Sequence, residues 1–133
     1  MKKKIAYEGK FVSYIQNSQF GMYYLPARFQ YVILRDYFNK FNKPYIIPQV
    51  EPVLSKTQIR LRSIIKSLKP YDNLILISVY NLSKEKKLRD KIIESIIKKK
   101  IVVHFLFEGI VTKTKKDFNK INTFFRFNSF LEK

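Results

Sequence analysis

The sequence predicts a single α/β domain over residues 1–133, built in three layers from a mainly parallel sheet of four strands with helices on both faces. Four apolar runs typical of strands alternate with four amphipathic segments typical of helices. The length of 133 residues suits one hydrophobic core, and an apolar content of 46% is enough for a folded chain. No stretch rich in Gly or Ser divides the chain into two parts.

The first half of the chain is predicted to hold two strands and two helices. A short apolar segment at residues 5–7 is the first strand. Apolar residues recur at helical spacing behind Pro26 in PARFQYVILRDYFNKF, which predicts a helix over residues 26–41. The stretch PYIIPQVEP allows only a very short strand, because proline donates no hydrogen bond to a sheet. The second helix is KTQIRLRSIIKSLK, residues 56–69.

The second half repeats the alternation of strand and helix. The run LILIS, residues 74–78, is typical of a strand covered on both faces. Residues 84–100 form an amphipathic helix with Ser83 as its predicted N-cap, and its final three lysines are interpreted as a solvated helix end. The run IVVHFLF, residues 101–107, is the fourth strand, and residues 114–127 form the last helix.

The composition argues against several classes of site. The chain has no cysteine and one histidine, so we expect no metal site. Its three glycines form no nucleotide-binding motif, so we expect no cofactor. No apolar run is long enough to cross a bilayer, and the N-terminus lacks the apolar core of a secretory signal. We therefore expect a cytoplasmic protein with no membrane span.

The chain is strongly basic, with 27 Lys and Arg against 10 Asp and Glu and a net charge of +17. Such a charge attracts polyanions, so a nucleic-acid partner is one hypothesis. Lysine far outnumbers arginine, however, and the chain is also rich in Ile, Asn, Phe and Tyr, a group that shares AT-rich codons. Compositional bias is therefore the alternative explanation of the charge.

Polar residues follow the predicted strands at the edge where parallel sheets bind ligands. Glu51 follows the second strand, Ser78 and Asn81 follow the third, and Glu108 follows the fourth. His104 lies inside the fourth strand, and two interpretations of it stay open. It is either a core histidine bonded beneath a helix or a general base.

Three segments carry a resemblance to a known family. They are LPARFQYVILRDYF, NLILISVYNLS and VVHFLFEGIV, and with their order and spacing the chain resembles the sporadic carbohydrate cluster proteins of bacteria over about residues 20–127. The matching residues are Pro26, Gln30, Arg35, Asp36, Tyr37, Ser78, Leu82, His104, Phe105, Leu106 and Glu108. The resemblance implies a role in making or modifying surface polysaccharide or lipopolysaccharide. It also gives a functional interpretation of His104 and Glu108 the same weight as the structural one.

The layout is also similar to the catalytic domain of serine recombinases, which implies a resolvase-like or flavodoxin-like fold. The arginines that would activate a nucleophilic serine are missing after the third strand, where the chain has VYNLS. The alternative function is therefore a nucleic-acid-binding protein that has this fold but lacks recombinase chemistry.

The leading hypothesis is that the protein binds an anionic sugar or an activated sugar at the carboxyl edge of the sheet. His104 and Glu108 are the predicted catalytic residues, and Arg28 and Arg35 would neutralise the anionic group, with a salt bridge to a neighbouring helix as the alternative for Arg35. The residues predicted to orient hydroxyl groups are Gln30, Glu51, Ser78 and Asn81. The sequence leaves open whether the protein is an enzyme, and a homodimer formed through an apolar helix face is a third alternative. The aromatic loop at residues 9–25 either stacks on a ligand or folds onto the domain.

Overall fold

The structure is a computed structural model that describes residues 7–20 and 23–131. It contains one five-stranded sheet and four α-helices. The strands are Phe11–Ile15 (β1), Gln49–Val50 (β2), Asn73–Leu76 (β3), Val102–Phe105 (β4) and Ile110–Thr112 (β5). The helices are Ala27–Lys40 (α1), Ile59–Ser67 (α2), Lys86–Lys98 (α3) and Lys115–Leu131 (α4).

The strands lie in the order β2-β1-β3-β4-β5, with the first four parallel and β5 antiparallel to β4. The predicted α/β class is confirmed, but the predicted number of four strands is wrong. The additional strand, β5, has only three residues and follows a tight turn closed by a hydrogen bond from the Gly109 amide to the Leu106 carbonyl, 3.2 Å long. Gly109 adopts a φ of 66°, the left-handed conformation that glycine reaches without steric cost.

The first strand was predicted in the wrong place. Residues 5 and 6 lie outside the described residues, and Tyr7 is not in a strand. The strand is instead Phe11–Ile15, inside the segment interpreted as an aromatic loop, and it occupies the centre of the sheet between β2 and β3. Gly9 precedes it with its backbone against Tyr71, so close that a Cβ at this position would overlap the Tyr71 carbonyl.

Successive residues of β1 point to opposite faces of the sheet, and each face meets a helix. The Phe11 ring packs edge-on against Phe38 of α1, with 5.5 Å between ring centroids. Tyr14, on the other face, bonds to Glu51 and to Gln58 at the start of α2. Helices α1 and α2 therefore lie on opposite sides of β1.

One predicted detail of α3 is wrong, and a second holds for Lys98 and Lys100, which are exposed, but not for Lys99. Ser83 is not its N-cap, since the helix begins at Lys86 and the residue before it, Glu85, makes no capping bond with its side chain. The lysines at its carboxyl end are not all free in solvent either. The Lys99 ammonium donates to the carbonyl oxygens of Ile65 and Lys66 at 2.8 and 2.7 Å, and so joins α3 to the last turn of α2.

None of the helices within the described residues is both long enough and apolar enough to cross a membrane.

Candidate functional site at the carboxyl edge of the sheet

The strand order places the candidate site between β1 and β3. From β1 the chain passes to the edge strand β2, and it then crosses back over β1 to form β3 on the other side. At such a reversal, the loops that leave the two central strands diverge and open a crevice at the carboxyl edge. Gln16 follows β1 at this edge, and Ser78 follows β3.

Glu108 reaches this edge from the turn after β4. The Ser78 hydroxyl donates to one of its carboxylate oxygens at 2.6 Å, and the Val79 backbone amide donates to the other at 2.9 Å. Two donors therefore fix the carboxylate over the end of β3, and it remains partly exposed. Ser78 is fully buried, so its hydroxyl orients Glu108 and has no open path to a ligand.

The 3-10 turn Val79–Asn81 is held by its own side chains. The Asn81 carboxamide oxygen accepts from the Ser78 amide at 2.9 Å, and the Ser78 hydroxyl accepts from the Tyr80 amide at 3.2 Å. The Asn81 Nδ2 group in turn donates to the Gln16 side-chain oxygen at 2.8 Å. These bonds connect the loops after β1 and β3 at the base of the candidate site.

Two further glutamines flank this base of the site. Gln30 of α1 donates from Nε2 to the carbonyl oxygens of Gln16 and Leu25 at 2.8 and 2.7 Å. Gln58 donates from Nε2 to the Asn81 carbonyl at 2.5 Å and to the Tyr14 hydroxyl at 3.3 Å. The side-chain oxygens of both glutamines are buried and accept no hydrogen bond from the described residues. An unpaired buried acceptor costs free energy, but both oxygens are closed off from solvent, so a ligand hydroxyl reaches them only if the side chains that cover them move.

Glu51 lies at the same edge but is already engaged within the protein. Its carboxylate accepts from the Tyr14 hydroxyl at 3.0 Å and from the backbone amides of Arg60 and Leu61 at 3.0 and 3.2 Å. The two amides belong to the first turn of α2, where a negative charge stabilises the helix. Burial, and then the neighbouring Glu51 charge, raise the pKa of Tyr14. These contacts favour a structural role, while the predicted ligand contact of Glu51 stays a prediction.

The structure separates the two arginines predicted to bind an anion. Arg28 is exposed in the first turn of α1, beside the edge that Gln30 contacts, and its guanidinium lies 5.2 Å from the centroid of the Phe29 ring. Arg35 lies seven residues further along, about 10 Å along the helix axis. Among the described residues no carboxylate lies within ion-pair distance of Arg35, so the alternative salt bridge is not formed there. Of the two, only Arg28 is near the crevice.

His104 is fully buried on the face covered by α1. Its Nδ1 lies 2.7 Å from the Tyr37 hydroxyl, and its Nε2 lies 2.9 Å from the Asn73 side-chain oxygen. Asn73 uses its Nδ2 group to donate to the Gly9 carbonyl at 3.1 Å, so its oxygen is the acceptor facing His104. The hydrogen-bond network therefore assigns the proton to Nε2 and makes Nδ1 the acceptor of the Tyr37 hydroxyl proton.

Aromatic rings surround the imidazole, with Tyr7 the nearest at 4.6 Å between centroids. Burial, and then the positive charge of Lys113, lower the pKa of His104 to about 4, so the ring is neutral near neutral pH. Asn73, the partner of His104 Nε2, is the first residue of β3 and so lies at the amino end of the sheet. Glu108 lies at the carboxyl end. The structure therefore does not bring His104 and Glu108 together, and its contacts favour the core histidine over the general base. The catalytic role of His104 stays a prediction.

Part of the segment at residues 9–25 lies in the hydrophobic core, and part lies at the carboxyl edge of the sheet. Phe11 and Tyr14 belong to β1, and Phe20 is buried. Tyr23 packs against Phe107 and Tyr80 at the carboxyl edge, with ring centroids 5.0 and 6.0 Å apart. Phe107 is 40% exposed and Tyr24 is 68% exposed. Most of the predicted loop therefore folds into the domain, while Tyr23 and Phe107 form an aromatic wall beside Glu108.

Two residues of the crevice, Gln16 and Gln58, were not predicted. Gln16 would have followed from a correct position of β1, because it is the first residue beyond FVSYI. Gln58 adopts a left-handed φ of 51° that turns its side chain under Asn81, and no local pattern in the sequence indicates this.

The described residues contain no group of three or more His, Cys, Asp or Glu side chains placed to hold a metal ion. No known family model matches the chain, and no curated protein has a significantly similar sequence.

Proposed function

We propose that the protein binds a sugar or an activated sugar in the crevice between β1 and β3, as part of the synthesis or modification of a surface carbohydrate. The observation that carries this proposal is the carboxylate of Glu108, fixed by Ser78 and Val79 at the carboxyl edge of the sheet. The buried amide oxygens of Gln30 and Gln58, which accept no hydrogen bond from the described residues, support it. Sugars present many hydroxyl donors at short spacing, and amide and carboxylate oxygens accept them. The resemblance to the sporadic carbohydrate cluster proteins supports the same class of ligand.

The crevice supplies each type of contact that a charged sugar needs. Phe107 offers a half-exposed ring for the apolar face of a pyranose, and the amide oxygens of Gln30 and Gln58 accept hydroxyl protons once the side chains that cover them move. Arg28, exposed at the start of α1, would pair with a phosphate or carboxylate at the mouth of the crevice. Glu108 accepts a hydroxyl and is the group placed to take a proton if a reaction follows binding.

The same proposal includes the finer identification of the fold. A strand order of 2-1-3-4-5 is that of flavodoxin-like sheets, and α1 and α2 cover opposite faces of β1. We propose a three-layer arrangement related to the flavodoxin-like and resolvase-like folds, with β5 reversed at the edge.

Thermal-shift measurements against nucleotide sugars, sugar phosphates and neutral and acidic sugars test the function. We expect one class to raise the melting temperature of the wild-type protein, and Glu108→Gln to abolish that shift. Glu8→Gln is the matched control, because it makes the same charge change at an exposed residue before β1 and should keep the shift. A shift that survives Glu108→Gln, or that no sugar class produces, would refute the proposal.

The nucleic-acid alternative stays a second prediction. It rests on the net charge of +17, and it expects affinity for duplex DNA that falls steeply as salt rises. A short DNA duplex in the same thermal-shift panel at near-physiological salt tests it.

A further inference from the structure

A groove of about 790 Å³ lies between α2 and α3, outside the crevice described above. The two helices pack side by side, and Lys99 joins their carboxyl ends through its bonds to Ile65 and Lys66. The basic residues that line the groove are Arg62, Lys66, Lys91, Lys98 and Lys99. The acidic residue among its lining is Glu94.

The lining is therefore strongly cationic, and the described chain does little to neutralise it. Lys66, Lys91 and Lys98 are exposed, and the one ion pair among the described residues joins Lys86 to Asp90 elsewhere on α3. Arg62 is held in place by bonds to the backbone carbonyl and the hydroxyl of Thr57 at 2.9 and 3.1 Å. Cations concentrated along a concave wall raise the local concentration of anions, so the groove favours an anionic occupant.

The side chains that line the groove favour an acidic peptide over a nucleic acid. Ile65 and Ile92 form a buried floor, Leu88 is partly exposed above it, and the lining contains no aromatic ring. Unpaired bases bind to proteins largely by stacking on aromatic rings, which this groove does not offer. Leu88 and the lysine stems instead suit a narrow segment with apolar side chains.

We propose that the groove between α2 and α3 binds an acidic amphipathic helix of a partner protein. Lys91 and Lys98 lie seven residues apart on α3, about 10 Å along its axis, which matches carboxylates at positions i and i+7 of a second helix. Helix α2 has nine residues, so the groove runs along about two and a half turns of partner helix. The described helices of this chain do not fit the role, because they carry more basic than acidic residues. The partner is therefore a different, acidic protein.

Fluorescence anisotropy with defined probes tests this inference at near-physiological salt. The probe is a labelled helical peptide of about 14 residues with a row of glutamates at i, i+3 and i+7 next to a leucine stripe. A peptide of the same composition in scrambled order keeps the charge and loses the amphipathic face. A DNA duplex of about 20 base pairs and a single strand of the same length represent nucleic acid.

The protein variant is Lys91→Glu/Lys98→Glu, and Lys115→Glu/Lys116→Glu on the exposed start of α4 is its matched control with the same charge change. We expect the groove variant to weaken binding of the amphipathic peptide at least about tenfold and the control to weaken it less than about twofold. We also expect the scrambled peptide to bind at least about tenfold more weakly than the ordered one.

Four results would overturn the inference. They are the absence of saturable binding of the ordered peptide, equal losses in both variants, equal affinity of the scrambled peptide, and a groove-dependent affinity for DNA that exceeds the affinity for the peptide. If the groove variant does not fold, as judged by circular dichroism, Lys91→Gln/Lys98→Gln repeats the test with half the charge change. Its matched control is then Lys115→Gln/Lys116→Gln.

Discussion

Acidification from about pH 7.5 to about pH 4.5 is expected to remove about 2.5 kcal/mol of unfolding free energy through His104 alone. Burial, and then the charge of Lys113, lower the pKa of His104 from 6.5 to about 4 in the folded protein. Below pH 6.5 the unfolded chain therefore binds a proton that the folded chain excludes. Stability falls as the pH drops through this window, and the loss levels off below about pH 4.

The structure explains why protonation of His104 is unfavourable in the folded state. Protonation of Nδ1 would reverse its 2.7 Å hydrogen bond with Tyr37, so the Tyr37 hydroxyl would accept there and its own proton would lose its present acceptor. Burial, and then the neighbouring Tyr7, raise the pKa of Tyr37 to about 12, so its hydroxyl keeps its proton throughout the range. A charged imidazole in this ring of aromatic side chains would also lose its hydration.

Urea unfolding at a series of pH values measures the effect, with His104→Asn as the reference protein. Carboxylates also titrate in acid, but they are present in both proteins and cancel in the difference. Since the chain has one histidine, its ring proton signals in an NMR titration report the folded pKa without ambiguity. A difference between wild type and variant that does not change with pH, or a folded pKa near 6.5, would refute the reasoning.

Two further predictions concern the packing around β1 and the start of α2. Gly9→Ala should destabilise the protein by at least about 2 kcal/mol, because the added Cβ overlaps the Tyr71 carbonyl. An unfolding midpoint equal to that of the wild type would contradict the close packing of the Gly9 backbone against Tyr71. Glu51→Ala should cost about 3 kcal/mol in denaturant unfolding by removing the acceptor of three hydrogen bonds, while Glu51→Gln, which keeps an acceptor oxygen, should cost clearly less. Equal losses in the two Glu51 variants would show that the bonds to the α2 amides matter little.

The helices and the α/β class could be predicted from the sequence, since amphipathic spacing depends on local residues alone. Strand β1 was missed because Ser13 and Tyr14 make FVSYI look less apolar than a central strand normally does. Tyr14 can be buried because its hydroxyl forms hydrogen bonds with Glu51 and Gln58. These two partners lie 37 and 44 positions further along the sequence. Contacts at such separation leave no local pattern.

The candidate site, too, could be predicted only in part from local sequence. Ser78, Asn81 and Glu108 were predicted from their positions after strands, and the structure brings all three together. His104 is only four residues from Glu108, yet the hydrogen bond to Asn73 points its ring toward the amino end of the sheet. Proximity in the sequence was therefore a poor guide to shared chemistry, because the His104 ring contacts the first residue of β3 while Glu108 lies in the turn beyond the carboxyl end of β4.

The most direct test of the proposed crevice is a nitrogen-edited NMR titration of the backbone and side-chain amide groups, using the sugar that stabilises the protein most. The account predicts that the largest shift changes occur at the side chains of Gln16, Gln30, Gln58 and Asn81, with little change at residues of the groove between α2 and α3. Changes confined to that groove or scattered over the basic surface would contradict a sugar site at the carboxyl edge of the sheet.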